Sequence, residues 1–223
     1  MELKVLGSGS SGNCYLLTDG NEVLVIEAGI PFREVKIALN FNIKQIAAVI
    51  VTHSHADHAG RIKEYETAGL PVFTPYRTES LRQEARFGGF RIQSFPVVHD
   101  VPCVGYLIGH KSLGKMLYVT DTEYVRYRFK GLNTILIEAN YDDRYINREE
   151  AKYRHVITGH MSIQTTLECI KANASDDLRH IILCHLSAGC NADPVGFEDE
   201  ARAIVGDGVS VDIAEPGATV EID

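Results

Sequence analysis

The sequence predicts an α/β (α+β) fold, a four-layer αββα sandwich in which two sheets pack face to face with helices outside. Apolar strand-like runs alternate with segments of helical periodicity. Two comparable strand-then-helix halves divide near residue 110, and no repeat, low-complexity tract or long linker separates them. A length of 223 residues suits one large domain or two small ones, and we predict a single domain over residues 1–223.

The composition is that of an ordinary globular protein, with 45% apolar and 23% charged residues. No signal peptide and no apolar window of membrane-spanning length is found, so we expect a cytoplasmic protein without a membrane partner. Five scattered cysteines without a Cys-x-x-Cys pair argue against a disulfide framework and a zinc ribbon. The net charge of −8 predicts no general basic face, so any attraction of nucleic acid must be local.

The first half of the chain begins with three strands. A glycine- and serine-rich turn after the first strand precedes the second, Cys14–Leu17. This turn lacks the lysine of a phosphate-binding loop and no helix follows it, which excludes a nucleotide loop. The third strand, Val23–Ile26, ends at Glu27, which is either a solvated turn residue or a partner that orients a metal ligand. Helical spacing follows over Pro31–Leu39.

A compact set of metal donors directly follows the buried strand Ile46–Val51 and precedes a helical segment. Neutral imidazole and carboxylate are ligands of zinc and similar divalent ions. His53 and His55 are two residues apart, so in extended backbone they point the same way and can share one ion. Asp57 and His58, at a helix start, turn toward a neighbouring point. The spacing therefore predicts two ions, and a histidine-rich loop that coordinates nothing is the alternative.

Three further donors follow later strands of the chain. His99 and His185 are candidate ligands, although an isolated histidine at a strand end is more often structural. The carboxylate of Asp121 can bridge two cations, and its alternative role is to cap the following segment. The strands that these residues follow are Arg91–Phe95, Lys115–Val119 and Ile181–Cys184.

The rest of the second half supplies another strand and two helices. Thr134–Glu138 is predicted to form a strand, Ser162 to be the N-cap of a helix, and Pro194–Val205 to form a closing helix. The segment 141–153 is predicted to cover one side of the site. The remaining histidines, His110, His155 and His180, are interpreted as structural or surface residues.

Together these motifs resemble the metallo-β-lactamase superfamily, and within it the YycJ (WalJ) branch, which is related to ribonuclease Z-like phosphodiesterases. The segments that carry the resemblance are LGSGSSGNCYLL, VTHSHADHAG, VVHD, VTDT, EANYD, GHMS and CHLS. The resemblance implies a metallo-β-lactamase sandwich with metals in a cleft at one edge, and a nuclease activity. Glu27 departs from the family, in which this strand usually ends in Asp, so its support of a ligand is left open.

The resemblance also implies individual roles. His53, His55 and His99 would bind one ion, Asp57, His58 and His185 the other, and Asp121 would bridge. The catalytic residues would be Asp57 and His160. His160 resembles the extra histidine of ribonuclease Z-like enzymes and would contact phosphate or protonate the leaving oxygen, with a structural histidine at a helix start as the alternative. Zinc is the first choice for the two divalent ions, and manganese and iron remain open.

The expected reaction is hydrolysis of a phosphodiester in DNA, RNA or a small cyclic nucleotide. Two divalent ions against two aspartates and a hydroxide leave about one positive charge, which attracts an anion. Two ions about 3.5–4 Å apart can hold the attacking and leaving oxygens of a phosphoryl displacement. Hydrolysis of a thioester or lactam is the alternative reaction, and a metal-binding regulatory module is the alternative outside enzymes. A homodimer is left open.

Two basic stretches are the local candidates for contact with such a substrate, although charge runs are more often solvated surfaces. The first contains Arg77, Arg82, Arg86 and Arg91, and the second contains Arg126, Arg128 and Lys130.

Overall fold

The computed structural model describes residues 1–146, 154–187, 189–190 and 194–223. The strands are β1 (Glu2–Gly7), β2 (Cys14–Thr18), β3 (Val23–Ile26), β4 (Ile46–Ile50), β5 (Val72–Phe73), β6 (Glu84–Phe87), β7 (Phe90–Val97), β8 (Cys103–His110), β9 (Gly114–Val119), β10 (Thr134–Glu138), β11 (His180–Cys184), β12 (Ser210–Ile213) and β13 (Thr219–Glu221). The helices are α1 (Phe32–Ala38), α2 (Ala56–Ala59), α3 (Ile62–Thr67), α4 (Arg154–Gly159), α5 (Ile163–Asn173) and α6 (Pro194–Val205).

Two mixed sheets form the two inner layers. In the described residues the first sheet has six strands, in the order β13-β1-β2-β3-β4-β5, and the second has seven, in the order β12-β11-β10-β9-β8-β7-β6. Residues from both sheets share one buried apolar cluster, which includes Tyr15, Ile50, Tyr106 and Ile182. This shared core packs the sheets face to face.

Helices cover the outer face of each sheet. On the first sheet, Phe32 and Tyr65 of α1 and α3 join the strand residues of one buried cluster. On the second, Ile170 and Phe197 of α5 and α6 do the same. The four-layer αββα sandwich predicted from the sequence is thus confirmed. The single-domain organisation stays a prediction.

The chain passes from the first sheet to the second between Phe73 and Glu84, so the predicted division near residue 110 is wrong. β8 and β9 lie on either side of that position and pair antiparallel in one sheet, with His110 opposite Gly114. A short turn keeps successive antiparallel strands adjacent, so a hairpin cannot mark the boundary between the sheets. β13 then returns to the first sheet.

Most of the predicted elements occur close to their expected bounds. Ser162 is the N-cap of α5, and its hydroxyl accepts a hydrogen bond from the Thr165 N–H at 3.3 Å, as its position predicted. Of the segment predicted to cover the site, residues 147–153 lie outside the described residues. No described helix is long and apolar enough to cross a membrane.

Strand direction decides where the functional site lies. β3 runs parallel to β4, and β9 runs parallel to β10 and β10 to β11. β7 reaches β9 through two antiparallel pairings, so it also points the same way. The carboxyl ends of these strands therefore lie at one edge of each sheet. The two edges meet, since Nε2 of His58 after β4 lies 3.4 Å from the carboxylate of Asp121 after β9.

Candidate metal centre and active site

The structure brings all seven predicted metal ligands to this edge. They form two groups of four donors, and within each group the candidate ligand atoms lie within 4.8 Å of one another. One group contains His53, His55, His99 and Asp121, and the other contains Asp57, His58, Asp121 and His185. Since Asp121 belongs to both groups, its carboxylate lies between two adjacent points at which donors converge.

Three residues at strand ends adopt left-handed backbone conformations that place their side chains at the centre. The φ angles are 68° at Glu27, 50° at Asp121 and 53° at His185. Glu27 and His185 directly follow the last residues of β3 and β11, and Asp121 lies two residues beyond the end of β9. Non-glycine residues adopt this region at an energetic cost, and such strain concentrates at functional sites.

Fixed oxygen atoms orient the histidine rings through their Nδ1 atoms. The Nδ1 atoms of His53, His99 and His185 lie 3.0 Å from Thr52 Oγ1, 3.0 Å from the Gly159 carbonyl and 3.2 Å from Glu138 Oε1. A carbonyl or carboxylate oxygen accepts only, so Nδ1 of His99 and of His185 carries the hydrogen. The Nε2 lone pair of each ring then faces the cluster, as a metal ligand requires.

The buried ring nitrogens provide the test of whether ions fit here. Nε2 of His53 and Nε2 of His185 are buried and have no hydrogen-bond partner within the described residues. They lie 3.6 Å from Asp121 Oδ2 and 3.5 Å from Asp57 Oδ2. Two ligands about 2.1 Å from one tetrahedral ion lie about 3.4 Å apart. The donor set and its spacing therefore fit two divalent ions.

Glu27, which departs from the family pattern, still reaches a predicted ligand. Its buried carboxylate lies 3.4 Å from Nδ1 of His58, without forming a hydrogen bond of good geometry. It also accepts hydrogen bonds from the hydroxyls of Thr52 at 2.7 Å and Tyr118 at 3.0 Å. Thr52 in turn contacts His53, so the longer side chain supports histidines of both donor groups.

Glu138 is a site residue that the sequence analysis missed. This fully buried carboxylate, at the end of β10, pairs through Oε1 with Nδ1 of His160 and Nδ1 of His185. Its Oε2 accepts backbone hydrogen bonds from Thr122 and Met161, each at 3.3 Å. A glutamate that closes an otherwise apolar strand was the available signal, as it was for Glu27.

The glycine- and serine-rich turn also belongs to the site, which its sequence did not reveal. The Asn13 backbone N–H donates to the Asp57 carbonyl at 2.7 Å, and its side-chain nitrogen lies 2.9 Å from Nε2 of His58. Gly29 permits this approach, because a Cβ there would lie 1.8 Å from the Asp57 carbonyl oxygen. The turn therefore holds the metal-binding loop rather than a nucleotide.

Burial and neighbouring charges divide the histidines into two kinds. Burial, aided by the neighbouring His58, lowers the pKa of His53 to about 2. Burial also opposes a charge on His185, but the carboxylates of Asp121, Asp57 and Glu138 together outweigh it and raise the pKa of His185 to about 10. The pKa of His58 is raised in the same way, against burial, by Asp121 and Glu27. Without ions, protons on His58 and His185 therefore balance the buried carboxylates.

His160 lies in the wall of the pocket that opens beside the two donor groups. The pocket has a volume of about 280 Å³, and its lining also includes His55, Asp57 and Asp121. Nδ1 of His160 is 4.0 Å from Asp121 Oδ2 and pairs with Glu138, which raises the pKa of His160 against the effect of burial. The structure thus places both predicted catalytic residues, Asp57 and His160, in one pocket.

The buried carboxylates correct the charge expected from the sequence. That count of about one positive charge omitted Glu27 and Glu138, which lie within 3.4 Å of His58 and His185, respectively. Asp100, which is largely exposed, adds a further carboxylate at the pocket 3.1 Å from Nε2 of His99. His160, whose pKa is raised, offsets one of these carboxylates, so two ions would leave the site near neutral and not clearly positive.

The histidines interpreted as structural lie apart from this cluster where the structure describes their side chains. Nε2 of His110 lies 3.2 Å from Glu22, and Nε2 of His180 lies 2.8 Å from Asp223. His110 ends β8, whereas a turn was expected there. The side chain of His155 lies outside the described part of the chain.

Comparison with known proteins confirms the resemblance. Residues 7–72 match the model of the metallo-beta-lactamase superfamily. The exodeoxyribonuclease YycJ of Bacillus anthracis is 24% identical over 225 residues, which cover 86% of this chain and 84% of YycJ. The exodeoxyribonuclease WalJ of Streptococcus pneumoniae serotype 2 (strain D39) is 25% identical, over 82% of this chain and 80% of WalJ.

Solved structures share the fold at lower identity. The metallo-beta-lactamase fold protein YhfI from Bacillus subtilis superimposes with a TM-score of 0.71 at 18% identity, over 99% of both chains. The short form of human tRNase Z gives a TM-score of 0.65 at 14% identity, over all of both chains. A diphosphatase from the PhnP family gives 0.66 at 16%, over 100% of this chain and 98% of the other. The chain thus has the metallo-β-lactamase fold.

Proposed function

We propose that this chain, with its metallo-β-lactamase fold, is a di-metal hydrolase that cleaves phosphodiesters in DNA, RNA or a small nucleotide. The observation that carries the proposal is that two groups of four donors share Asp121 beside a pocket that also contains His160. Relatives named exodeoxyribonucleases, and neighbours in fold that include a tRNase Z and a diphosphatase, support a nuclease or phosphodiesterase. Cytoplasmic location is part of the proposal.

In this proposal His53, His55 and His99 would hold the first ion, Asp57, His58 and His185 would hold the second, and Asp121 would contribute to both. The unpartnered Nε2 atoms and the donor spacing support these assignments. Nitrogen donors predominate, so zinc is the first choice, with manganese and iron as alternatives. Two bound divalent ions supply Lewis-acid polarisation of a phosphate and a water that ionises near neutral pH.

The chain's own residues then position the substrate and move protons. Glu138 holds His160 through Nδ1, which leaves Nε2 to meet a phosphoryl oxygen or to protonate the leaving oxygen. Oδ2 of Asp57 faces His58 and His185, and we assign to Oδ1 the hydrogen bond of the attacking water. Both residues line the pocket, so these contacts require no rearrangement of the fold.

The test compares the ion-loaded protein on bis-p-nitrophenyl phosphate and on a thioester such as lactoylglutathione. We expect turnover of the phosphodiester, and a fall in kcat of about 10²-fold or more in His160→Ala at unchanged metal content. His180→Ala, which removes another largely buried and paired histidine, is the control and should retain turnover. Turnover of the thioester alone would replace the proposal, and metal binding without turnover on either substrate would indicate a regulatory module.

A further inference from the structure

We propose that residues 123–130 form a surface that binds single-stranded nucleic acid outside the pocket. The inference rests on the proposed phosphodiesterase function and narrows its substrate class to a polynucleotide strand of several nucleotides. It concerns the second basic stretch of the sequence, whose role the metal centre does not explain.

The segment is attached to the site at its first residues. The Thr122 backbone N–H donates to Glu138 at 3.3 Å, and the Glu123 backbone N–H donates to the Val98 carbonyl, next to His99, at 3.1 Å. Tyr124 is three residues beyond Asp121, so its Cα lies within about 11 Å of that ligand. A strand bound along this segment would therefore lead directly to the pocket.

Alternating burial shows which side chains face outward. Val125, Tyr127 and Phe129 are half-buried, and the rings of Tyr127 and Phe129 lie 5.5 and 4.9 Å from the ring of Phe95 on β7. The side chains between them are exposed: Tyr124, Arg126, Arg128 and Lys130. Such alternation is typical of extended backbone lying on a sheet.

The outward side chains suit a single strand. In extended backbone, alternate residues lie about 6.6 Å apart, which is close to the separation of successive phosphates in a stretched polynucleotide. The Cα atoms of Arg126, Arg128 and Lys130 would thus be spaced like successive phosphates. Tyr124 is 45% exposed at the end nearest the pocket and offers a ring on which a base can stack.

These three cations are available for a ligand. Within the described residues, none of their side chains forms an ion pair with a carboxylate. Among acidic residues, Glu123 begins the segment, and Asp177 lies near Gly131, just beyond its end. In the other basic stretch, by contrast, Arg77 pairs with Glu66 at 3.3 Å and Arg91 with Glu84 at 3.4 Å.

The surroundings extend the same surface. Nζ of Lys115 donates to the Lys130 carbonyl at 2.7 Å, which adds a fourth cation at the far end. A groove of about 360 Å³ borders Phe129 and contains Arg82, whose guanidinium lies 5.0 Å from the ring of Tyr127. Glu84 also lines this groove but is paired with Arg91. A local basic surface thus offsets a site rich in carboxylates.

The experiment measures binding of a fluorescein-labelled phosphorothioate oligothymidylate of about 20 nucleotides by anisotropy, with the ion-loaded protein. In the triple variant Arg126→Ala, Arg128→Ala, Lys130→Ala we expect affinity at about 50 mM salt to fall on the order of 10²-fold. The slope of log K against log salt should fall in magnitude by about 2, since each single-strand contact contributes about 0.7. Tyr124→Ala should also weaken binding, whereas Tyr124→Phe should retain it.

The matched control also removes three positive charges, but from the layer outside the first sheet. Its substitutions are Arg33→Ala, Lys44→Ala and Lys63→Ala, all at exposed positions. Equal losses in the control and the triple variant, or no loss in the triple variant, would overturn the proposal. An equal loss on a duplex of the same length would overturn the single-strand assignment. Failure of the phosphodiesterase proposal is distinguishable from failure of this one. In that case the unmodified protein would not hydrolyse a phosphodiester, but anisotropy would still show whether residues 123–130 bind the oligonucleotide.

Discussion

Substitution of Glu138 by Gln tests how the buried carboxylates organise the site. Oε1 faces Nδ1 of His160 and of His185, and Oε2 accepts two backbone N–H groups. Gln keeps the shape but has one acceptor oxygen and one amide nitrogen. If the oxygen stays with the backbone donors, the amide faces the histidines and requires each Nδ1 to accept. The hydrogen then moves to Nε2, and His185 loses the lone pair that faces the ions.

The magnitude follows from the two hydrogen bonds that the substitution weakens. Each is a hydrogen bond to a charged group, which contributes about 1.5–3 kcal/mol, against about 0.5–1.5 kcal/mol for the neutral bond that replaces it, so Glu138→Gln should lower the free energy of unfolding by about 2–3 kcal/mol. Loss of a partner that orients a metal-binding histidine typically costs about 10–100-fold in metal affinity. We expect both effects together, because one carboxylate supplies both.

Urea unfolding and competition with a chromophoric zinc chelator measure the two quantities. Glu64→Gln is the control, since Glu64 also accepts a backbone hydrogen bond, from Phe32 at 3.0 Å, but lies outside the site. It should change stability by less than about 1 kcal/mol and leave metal affinity unaltered. Unchanged zinc affinity in a folded Glu138→Gln protein would refute the reasoning that Nδ1 contacts set the ligand nitrogens.

Three further predictions follow from the geometry. Gly29→Ala should lower stability by about 1–3 kcal/mol and weaken metal binding, because its Cβ meets the Asp57 carbonyl at 1.8 Å, whereas Gly208→Ala, with nothing within 4 Å, should do neither. Zinc binding near pH 7 should release about two protons, because the raised pKa values of His58 and His185 keep both rings charged without metal. Calorimetry in buffers of different ionisation enthalpy measures this release. A binding enthalpy that does not depend on the buffer would contradict it. The free energy of unfolding of the metal-free protein, measured with urea, should fall between about pH 7 and 9. In this range His185 stays protonated in the folded protein, with a pKa of about 10, whereas the unfolded imidazole, with a pKa near 6.5, is neutral. Saturating zinc should remove this loss.

The sequence allowed the fold class and the ligand cluster to be predicted for definite physical reasons. Apolar runs such as Ile46–Ile50 identify buried strands, and parallel strands bring their carboxyl ends to one edge. Donors such as Asp121 and His185, although 64 positions apart in the chain, therefore had to converge if the strands belonged to one sandwich. The boundary between the sheets was less accessible, because the chain crosses at 73–84 without a change in strand pattern.

What the sequence could not provide was the set of contacts behind the ligands. Glu138 looks like the polar end of a strand, and Asn13 like one residue of a turn, until the fold brings the first to His160 and the second to His58. These contacts join segments 22 and 45 positions apart, and local spacing does not encode them. The same holds for the left-handed backbone of Asp121, which depends on what its side chain meets.

The site is consequently assembled from two halves, one on each sheet. Glu27 supports histidines that follow β4, whereas Glu138 supports His160 and His185 beside the second sheet. Contacts across the sandwich fix one half against the other: Tyr118 donates to Glu27 at 3.0 Å, and the His185 backbone N–H donates to the Ser8 hydroxyl at 3.0 Å. Asp121 lies where the halves meet and faces donors of both. The packing of the two sheets, rather than the metal-binding loop alone, therefore sets the spacing of the two proposed ions.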